Sequence, residues 1–547
     1  MKRPTNTSST IRSPGPRLTP LAACLAAALA FSASIPLMAD DGGGQSQIAP
    51  TRAQLLKSVP SGEALLASMT ESQAARAENT MRRMLGLDSF GPVTGATITV
   101  ANCNNSGSGS LRAAVGSANS GDTLDMSSLA CTVNLLSSIV TSLDDLTIQG
   151  NPDNKYPIIN GQDNTEPFVH FGIGTLTLSG VAVQSGRFST ASPSLDGAGG
   201  CIYSKGNVIL TDASRVKYCT AEHAGSGEAK GGAIYSAGYT SVLSNSFVTG
   251  GEAIASSGNA LGGGIYAKGG VTLKYGTVSN SSATSSSGLS RGGGIYSADD
   301  LTSKYSSIRD NTASSGSSPI DAGGGAWIDG TSLILKSTIS GNKADSAAAM
   351  LLGRAGTGTT KIDQSTIANN QATASIDKYG GGMYLGNAST IRNTTISGNT
   401  EKNSGDDKYG AGFKIKNGAS VTMSSTIVSG NSLVIGSGDN LPSDIHGTSG
   451  TPATVAGDHN LVGFSNFAST PADTITTFNP QLGPLANNGG VTRTKAVLLG
   501  SPAINEGFAN GFTTDQRGPG FIRTVGSAPD IGAFELGGDV IFANGFD

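Results

Sequence analysis

GGGIYSADDLTSKYSSIRDN, residues 292–311, is the stretch from which the fold can be read. Its apolar residues come in three short bursts, Ile295-Tyr296, Leu301 and Ile308, separated by Gly, Ser, Ala and Asp. Bursts this short between small polar residues describe brief strands joined by tight turns. The opening motif recurs as GGCIY at Gly199, GGAIY at Gly231, GGGIY at Gly262, GGGAW at Gly323, GGGMY at Gly380 and GAGFK at Gly410. Successive starts are 32, 31, 30, 31, 57 and 30 residues apart, and the step of 57 is two repeats with a degenerate start at 347–351. A near-constant period of this kind identifies a solenoid or a propeller.

A second marker phases each unit. Ile308 is followed by Asn311, Ile339 by Asn342, Ile367 by Asn370 and Ile396 by Asn399, while Ile427 and Asn431 continue the series with one extra residue. About three short strands therefore fit one repeat, which describes a triangular coil. Propeller blades need four strands and roughly 40 or more residues, so a shorter period excludes them. Stacked parallel coils ~4.8 Å apart bring identical residues into register. Isoleucine then fills the interior, Asn311, Asn342, Asn370 and Asn399 form an inward amide ladder, and glycine turns the corners. The expected class is all-β: a single-stranded right-handed parallel β-helix with three short strands per coil. A helical cap is expected over its N-terminal end at residues 110–115, because an uncovered sheet end invites edge-to-edge association.

Composition agrees. The 547 residues include 78 glycines, and the chain is 37% apolar but only 14% charged, unlike a helical bundle or a disordered tail. Lys2, Arg3, Arg12 and Arg17 precede an apolar run from Leu21 to Phe31, so residues 1–39 read as a signal peptide, too short in its apolar part to span a bilayer. Cleavage after Ala39 leaves a mature net charge of about −8, which argues against nucleic acid as a partner. Cys24 leaves with the signal. The four remaining cysteines suggest two disulfides, most simply Cys103–Cys131 and Cys201–Cys219, and no Cys-x-x-Cys spacing supports a metal instead. Residues 40–94 read as a linker or helical pro-segment, 95–465 as the β-helix, 466–536 as a region completing or capping it, and 537–547 as a short tag.

Two resemblances follow from these motifs. The Gly-Gly-x-Ile start with a later Ile-x-x-Asn, together with Asn102-Cys103-Asn104, Gly109–Ala114 and Asp145–Gly150, resembles the polymorphic outer-membrane proteins. The stretches Asn479–Leu485, Asn488-Gly489-Gly490, Gly500–Ile504, Asp515–Gly518 and Asp530–Glu535 are similar to the choice-of-anchor Q family. Together they cover residues 95–536 and imply a pectin-lyase-like β-helix, displayed outside a bacterial cell and usually without assigned activity. The membrane β-barrel that ends the polymorphic proteins has no counterpart after Leu536 in this sequence.

Residue patterns that carry chemistry are sparse in the sequence. Trp327-Ile328-Asp329-Gly330 resembles the Trp-Ile-Asp-His of pectate lyases but departs at Gly330, and the repeat already demands an aromatic residue at 327. Paired carboxylates suited to glycoside hydrolysis reduce to Asp144-Asp145 and Asp406-Asp407, which read better as solvated loop charges. His170, His223, His446 and His459 make no metal or triad spacing. Asp377-Lys378-Tyr379 and Asp407-Lys408-Tyr409 lie one coil apart, and Arg517 is expected to pair with Asp530 or Glu535. The residue after each inward apolar position points outward, giving Tyr203, Tyr235, Tyr266, Tyr296, Trp327 and Tyr384. Such an exposed ladder either stabilises a solvated sheet face or serves as a platform for sugar rings.

The functional expectation is an exported bacterial binding or adhesion module, non-catalytic, at the cell surface or secreted, whose partner is a polysaccharide or another cell-surface molecule. No catalytic residue, metal ligand or cofactor is assigned. The alternative is a polysaccharide lyase or glycoside hydrolase acting on an acidic polysaccharide.

Overall fold

The computed structural model describes residues 95–151, 153, 156–316, 322–373, 379–403, 410–435, 438–447, 453–467, 471 and 473–538. The expected signal peptide at 1–39, the 40–94 segment, the expected tag beyond 538, Asp406-Asp407, Asp377-Lys378 and Asp407-Lys408-Tyr409 all lie outside these residues.

One coil illustrates the rest. Ile265–Ala267, Val271–Lys274, Thr277–Ser279, Ser282–Ser285 and Ser290–Arg291 are strands, and the chain then re-enters at Ile295–Ser297, paired in parallel with Ile265–Ala267. Alternation sets which side chains enter the core: Val271 and Leu273 are buried, Thr272 is half-buried and Lys274 exposed. The turn into each coil needs glycine. Gly292 sits at φ +64°, and a Cβ there would fall 2.1 Å from the carbonyl oxygen of Ile295.

Among the described residues the coils build three long sheets of 13, 21 and 11 strands, and a fourth of four strands. The 21-stranded sheet is larger because each central coil contributes two segments to it, so the coil is more finely broken than three strands per unit. Almost every pairing is parallel, and like stacks on like: Ile308, Ile339, Ile367 and Ile396 lie in one register column, all buried. One continuous core of Ile, Leu, Val and Phe runs from Val100 to Val462. The helix Leu111–Ser117 joins it at its N-terminal end with Leu111, Ala114 and Val115 buried, and the Ser110 hydroxyl caps it by accepting from Ala113 N at 3.2 Å.

The amide ladder is continuous. Asn311 donates through both N and Nδ2 to Asn342 Oδ1, Asn342 to Asn370, Asn370 to Asn399, and Asn399 to Asn431, at 2.8–3.1 Å. It ends on Asp444, whose Oδ1 accepts N and Nδ2 of Asn431. Each amide thereby satisfies buried donors on the neighbouring coil, which an apolar side chain would leave unpaired. A hydroxyl ladder runs beside it, from Ser306 Oγ accepting Gly276 N to Ser337 accepting Ser306 N and Ser365 accepting Ser337 N.

One corner departs from the glycine rule. Tyr275, Tyr305, Lys336, Gln364, Asn393 and Ser425 hold φ between 46° and 57° at equivalent places on successive coils. The C-terminal region lies against this corner. Lys336 Nζ donates to Asp515 O, Gln364 Nε2 to Thr514 O, Asn393 Nδ2 to Phe508 O, and Thr366 Oγ1 to Gln516 Oε1. Residues 508–516 thus form a strap across several coils on the flank of the helix. Burial pushes the Lys336 amine down to about 8, with Asp515 opposing and Arg523 adding to the effect.

Arg517 pairs differently from the sequence expectation. Its guanidinium meets Asp515, two residues away, with Nη2 at 2.7 Å and Nε at 2.9 Å from Oδ2, and Nη2 also donates to the Glu535 backbone oxygen. Arg523 faces the Glu535 carboxylate, at 4.0 Å, and donates to Asp530 O. Asp515 wins Arg517 because a neighbour in the same turn needs no additional chain to be ordered.

Candidate functional site

The aromatic column stacks in register. Tyr203, Tyr235, Tyr266 and Tyr296 have ring centroids 5.0, 5.3 and 5.1 Å apart with planes within 9° of parallel, and Trp327 follows Tyr296 at 6.4 Å. Leu351 occupies the next coil and separates Trp327 from Tyr384, which instead meets Tyr379 edge-on at 4.9 Å.

The column is not the open face expected from alternation. Tyr235 is 9% exposed, Tyr266 8%, Trp327 2% and Tyr384 6%. The cover is the four-stranded sheet of Gly197–Ala198, Ala229–Lys230, Ala260–Leu261 and Ser290–Arg291, whose Ala198 and Leu261 pack on Tyr235 and Tyr266. Lys230 lies over the Tyr266 ring and Arg291 over Trp327, 5.9 and 4.5 Å from the centroids. Burial pushes the Tyr235 hydroxyl up to about 12.

At its N-terminal end the column emerges. Register carries it from Tyr203 to Val169 and Val140, and the covering sheet begins only at Gly197. Tyr203 is half-buried, and Phe171, 45% exposed, meets its ring edge-on at 6.2 Å. Here lies a cleft of about 490 Å³ lined by Val140, Val169, Phe171, Phe188, Leu195 and Tyr203 together with Asn164, Glu166, Arg187, Ser189 and Asp196. A second cleft of about 400 Å³, between the capping helix and 139–143, shares Val140 with it.

Two carboxyls on this cleft sit in opposite environments. Glu166 is 6% exposed and its Oε1 has no hydrogen-bond partner; burial pushes its carboxyl well above the usual carboxylate range. Burial also pushes Asp196 up, but Lys230 at 2.6 Å and the Glu228 backbone N–H outweigh it and hold the carboxyl below its ordinary value. Burial, then the charges of Glu166 and Asp196, raises the Tyr203 hydroxyl. Arg187 is engaged by Glu222.

The other sequence candidates have structural partners. Trp327 Nε1 donates to Asp329 Oδ1 at 2.8 Å and Tyr296 Oη to Oδ2 at 3.1 Å, so Asp329 ties the column together. Asp144 accepts Ile173 N and Asp145 accepts Thr175 N on the following coil. His170 is buried, bonded to Ser204 Oγ and to the Leu143 carbonyl; His223 accepts two glycine N–H groups; His446 meets the Asn466 amide; His459 lies 3.4 Å from Asp473. Among the described residues no three His, Cys, Asp or Glu side chains gather as a metal would require. Disulfides join Cys103 to Cys131 and Cys201 to Cys219, with Cα atoms 6.2 and 5.4 Å apart. Glu166, Asp196 and Phe171 carry no sequence motif; coil stacking alone assembles them.

No family model and no curated protein matches the chain. Among solved structures it is similar to one titled "Crystal structure of pectate lyase Pel9A", with 11% identity, a TM-score of 0.34, and coverage of 80% of this chain and 97% of that one. The parallel β-helix itself rests on the strand register above.

Proposed function

We propose that this chain is an exported β-helix that binds polysaccharide at the uncovered end of its aromatic column. The observation carrying this reading is the cleft, where Tyr203 and Phe171 offer ring faces and edges beside Asn164, Ser189, Arg187 and Asp196. Pyranose rings present apolar C–H faces and a rim of hydroxyls, so they require this mixture of flat apolar surface and convergent polar groups. The second cleft, which shares Val140 in its lining, offers room for a further sugar unit. Display outside the cell fits the two disulfides, which persist in oxidising compartments, and the signal-like residues 1–39. The resemblance of residues 479–535 to choice-of-anchor Q proteins supports the same reading, an adhesion module on a bacterial surface.

Affinity electrophoresis of the full mature chain against polyuronides and neutral glucans, mannans and xylans tests this. At least one polymer should retard the protein, and Tyr203→Ala with Phe171→Ala should remove the retardation. Retardation unchanged in that double variant would place the ligand elsewhere.

A further inference from the structure

We propose that residues 542–546 of this chain dock on the exposed corner formed by Tyr275 and Tyr305, carrying the C-terminal strap further toward the N-terminal coils. The polysaccharide reading is not needed for it.

The sequence Phe-Ala-Asn-Gly-Phe occurs twice, at 508–512 in the strap and at 542–546, beyond the described residues. The first copy shows how such a segment sits on this helix. Asn510 at φ +52° and Gly511 at φ +79° make a tight turn, closed by Phe512 N donating to Ala509 O at 2.9 Å, and Asn-Gly is the pair that favours it. The turn brings the Asn510 amide to Asn393, its Nδ2 donating to Oδ1 at 2.9 Å, while Asn393 Nδ2 donates to Phe508 O at 2.8 Å. It also sets the Phe512 ring 4.9 Å from the Arg392 guanidinium and the Phe508 ring beside that of His459. Phe508, Asn510, Gly511 and Phe512 each have a part in this fit, and all four recur at 542–546.

The corner continues past the strap. Ser425, Asn393, Gln364 and Lys336 are buried where the strap lies against them, whereas Tyr305 is half-buried and Tyr275 is 37% exposed. The two tyrosine rings stack 5.0 Å apart. Register carries the Arg392 column through Asp363 and Leu335 to Lys304 and Lys274, so each tyrosine follows a lysine as Asn393 follows Arg392. A cation and an aromatic face for the two phenylalanines are present again, with a tyrosine hydroxyl to meet the Asn544 amide. Lys274 stands directly opposite Lys304, an unfavourable pairing of like charges that Asp539 and Asp547 would offset.

The chain reaches this corner easily. A Cβ on Gly518 would lie 3.5 Å from Tyr305 Cε1, so the strap abuts that ring. Gly538 lies beside the same end of the strap: its carbonyl accepts Ile522 N at 2.9 Å, and a Cβ on it would lie 3.2 Å from Arg517 Nη2. The step from Gly538 to Phe542 spans at most about 14 Å, against coils ~4.8 Å apart. The Asn393 position is already held by 508–512, tethered in the same chain at high effective concentration, which leaves the tyrosine corner as the open one.

Zero-length carbodiimide coupling of the full mature chain, followed by peptide mass mapping, tests this docking. Asp539 or Asp547 should couple to Lys274 or Lys304, with a yield independent of protein concentration. Phe542→Ala with Phe546→Ala keeps every carboxylate and amine and leaves the coil sequence intact, yet should abolish the coupling. The same double variant should be nitrated severalfold faster at Tyr275, while Tyr218, 61% exposed, reacts equally in both proteins. Coupling that persists in the double variant, or that forms only between labelled and unlabelled copies, overturns the proposal. So does a wild-type chain that couples only at other lysines or not at all, or Tyr275 nitration unchanged by the substitutions.

Discussion

Asp444 accepts two hydrogen bonds from Asn431, N at 3.0 Å and Nδ2 at 2.7 Å, on one carboxylate oxygen, and its other oxygen accepts Phe464 N at 2.8 Å. A ladder of five asparagines therefore ends on an aspartate because every group facing that position is a donor. An amide there would turn its own NH₂ toward the Phe464 N–H.

That arrangement sets a pH dependence. Burial raises the Asp444 carboxyl to about 6 despite its three hydrogen bonds, against 3.8 for the free group. The folded state then holds the proton more tightly than the unfolded one, so this residue's contribution is complete below about 3.8 and is lost as pH rises through about 6. Asp444→Asn should flatten that part of the profile and cost about 1–3 kcal/mol at both ends, from the mismatched amide. Denaturant midpoints at pH 4 and 7 for both proteins provide the check; equal slopes would contradict it.

The disulfides should separate under mild reductant. Cys131 is exposed, whereas Cys201 and Cys219 are fully buried. Thiol exchange needs access to the sulfur, so brief treatment without denaturant should open Cys103–Cys131 first. Alkylation followed by peptide mass mapping reads the order directly, and simultaneous opening of both bonds would be inconsistent with this burial.

Rings of one column should behave differently. Tyr266→Ala removes a buried ring beneath the covering sheet and should cost about 3–5 kcal/mol of stability with no effect on polymer retardation. Tyr203→Ala should show the converse, a smaller stability loss and weakened retardation. Should both variants lose binding equally while keeping full stability, the covered rings would be accessible after all.

Lys336 holds the strap from the corner of the coils. Lys336→Met removes its bonds to Thr514 and Asp515, and hydrogen exchange at residues 508–516 should quicken at least tenfold while the Asn342 and Asn370 amides stay protected. Uniform loss of protection through those coils would mean that the strap and the coils form one cooperative unit.

The repeat made most of the fold legible. Period and phase placed Ile308, Ile339, Ile367 and Ile396 inward and found the asparagine column, because stacking makes every coil restate the same constraint. What the pattern missed has no periodic signal of its own. The strands covering the tyrosines are two residues long, as at Ala260–Leu261, and read in sequence as ordinary loop. Alternation turns Tyr235 away from the main core, but only tertiary structure shows that a second layer buries it. Glu166 and Asp196, thirty residues apart, line one cleft because coil stacking brings their segments to the same face, and no local motif marks either residue. Asp515, two residues from Arg517, takes the guanidinium from the more distant Asp530 and Glu535, and the local turn that aims it there has no signature in the sequence.

Contacts between the strap and the corner close very long loops: Lys336 and Asp515 are separated by 179 residues. Their closure entropy must be met before any of them stabilises the chain. Each coil, by contrast, nucleates on the one before it. The strap therefore arrives last in folding, and it finds its full set of partners only where Lys336, Gln364 and Asn393 already stand in register. A coil slipped by a residue leaves it no complete seat, which makes docking of the C-terminal segment a proofreading step for the assembled rod.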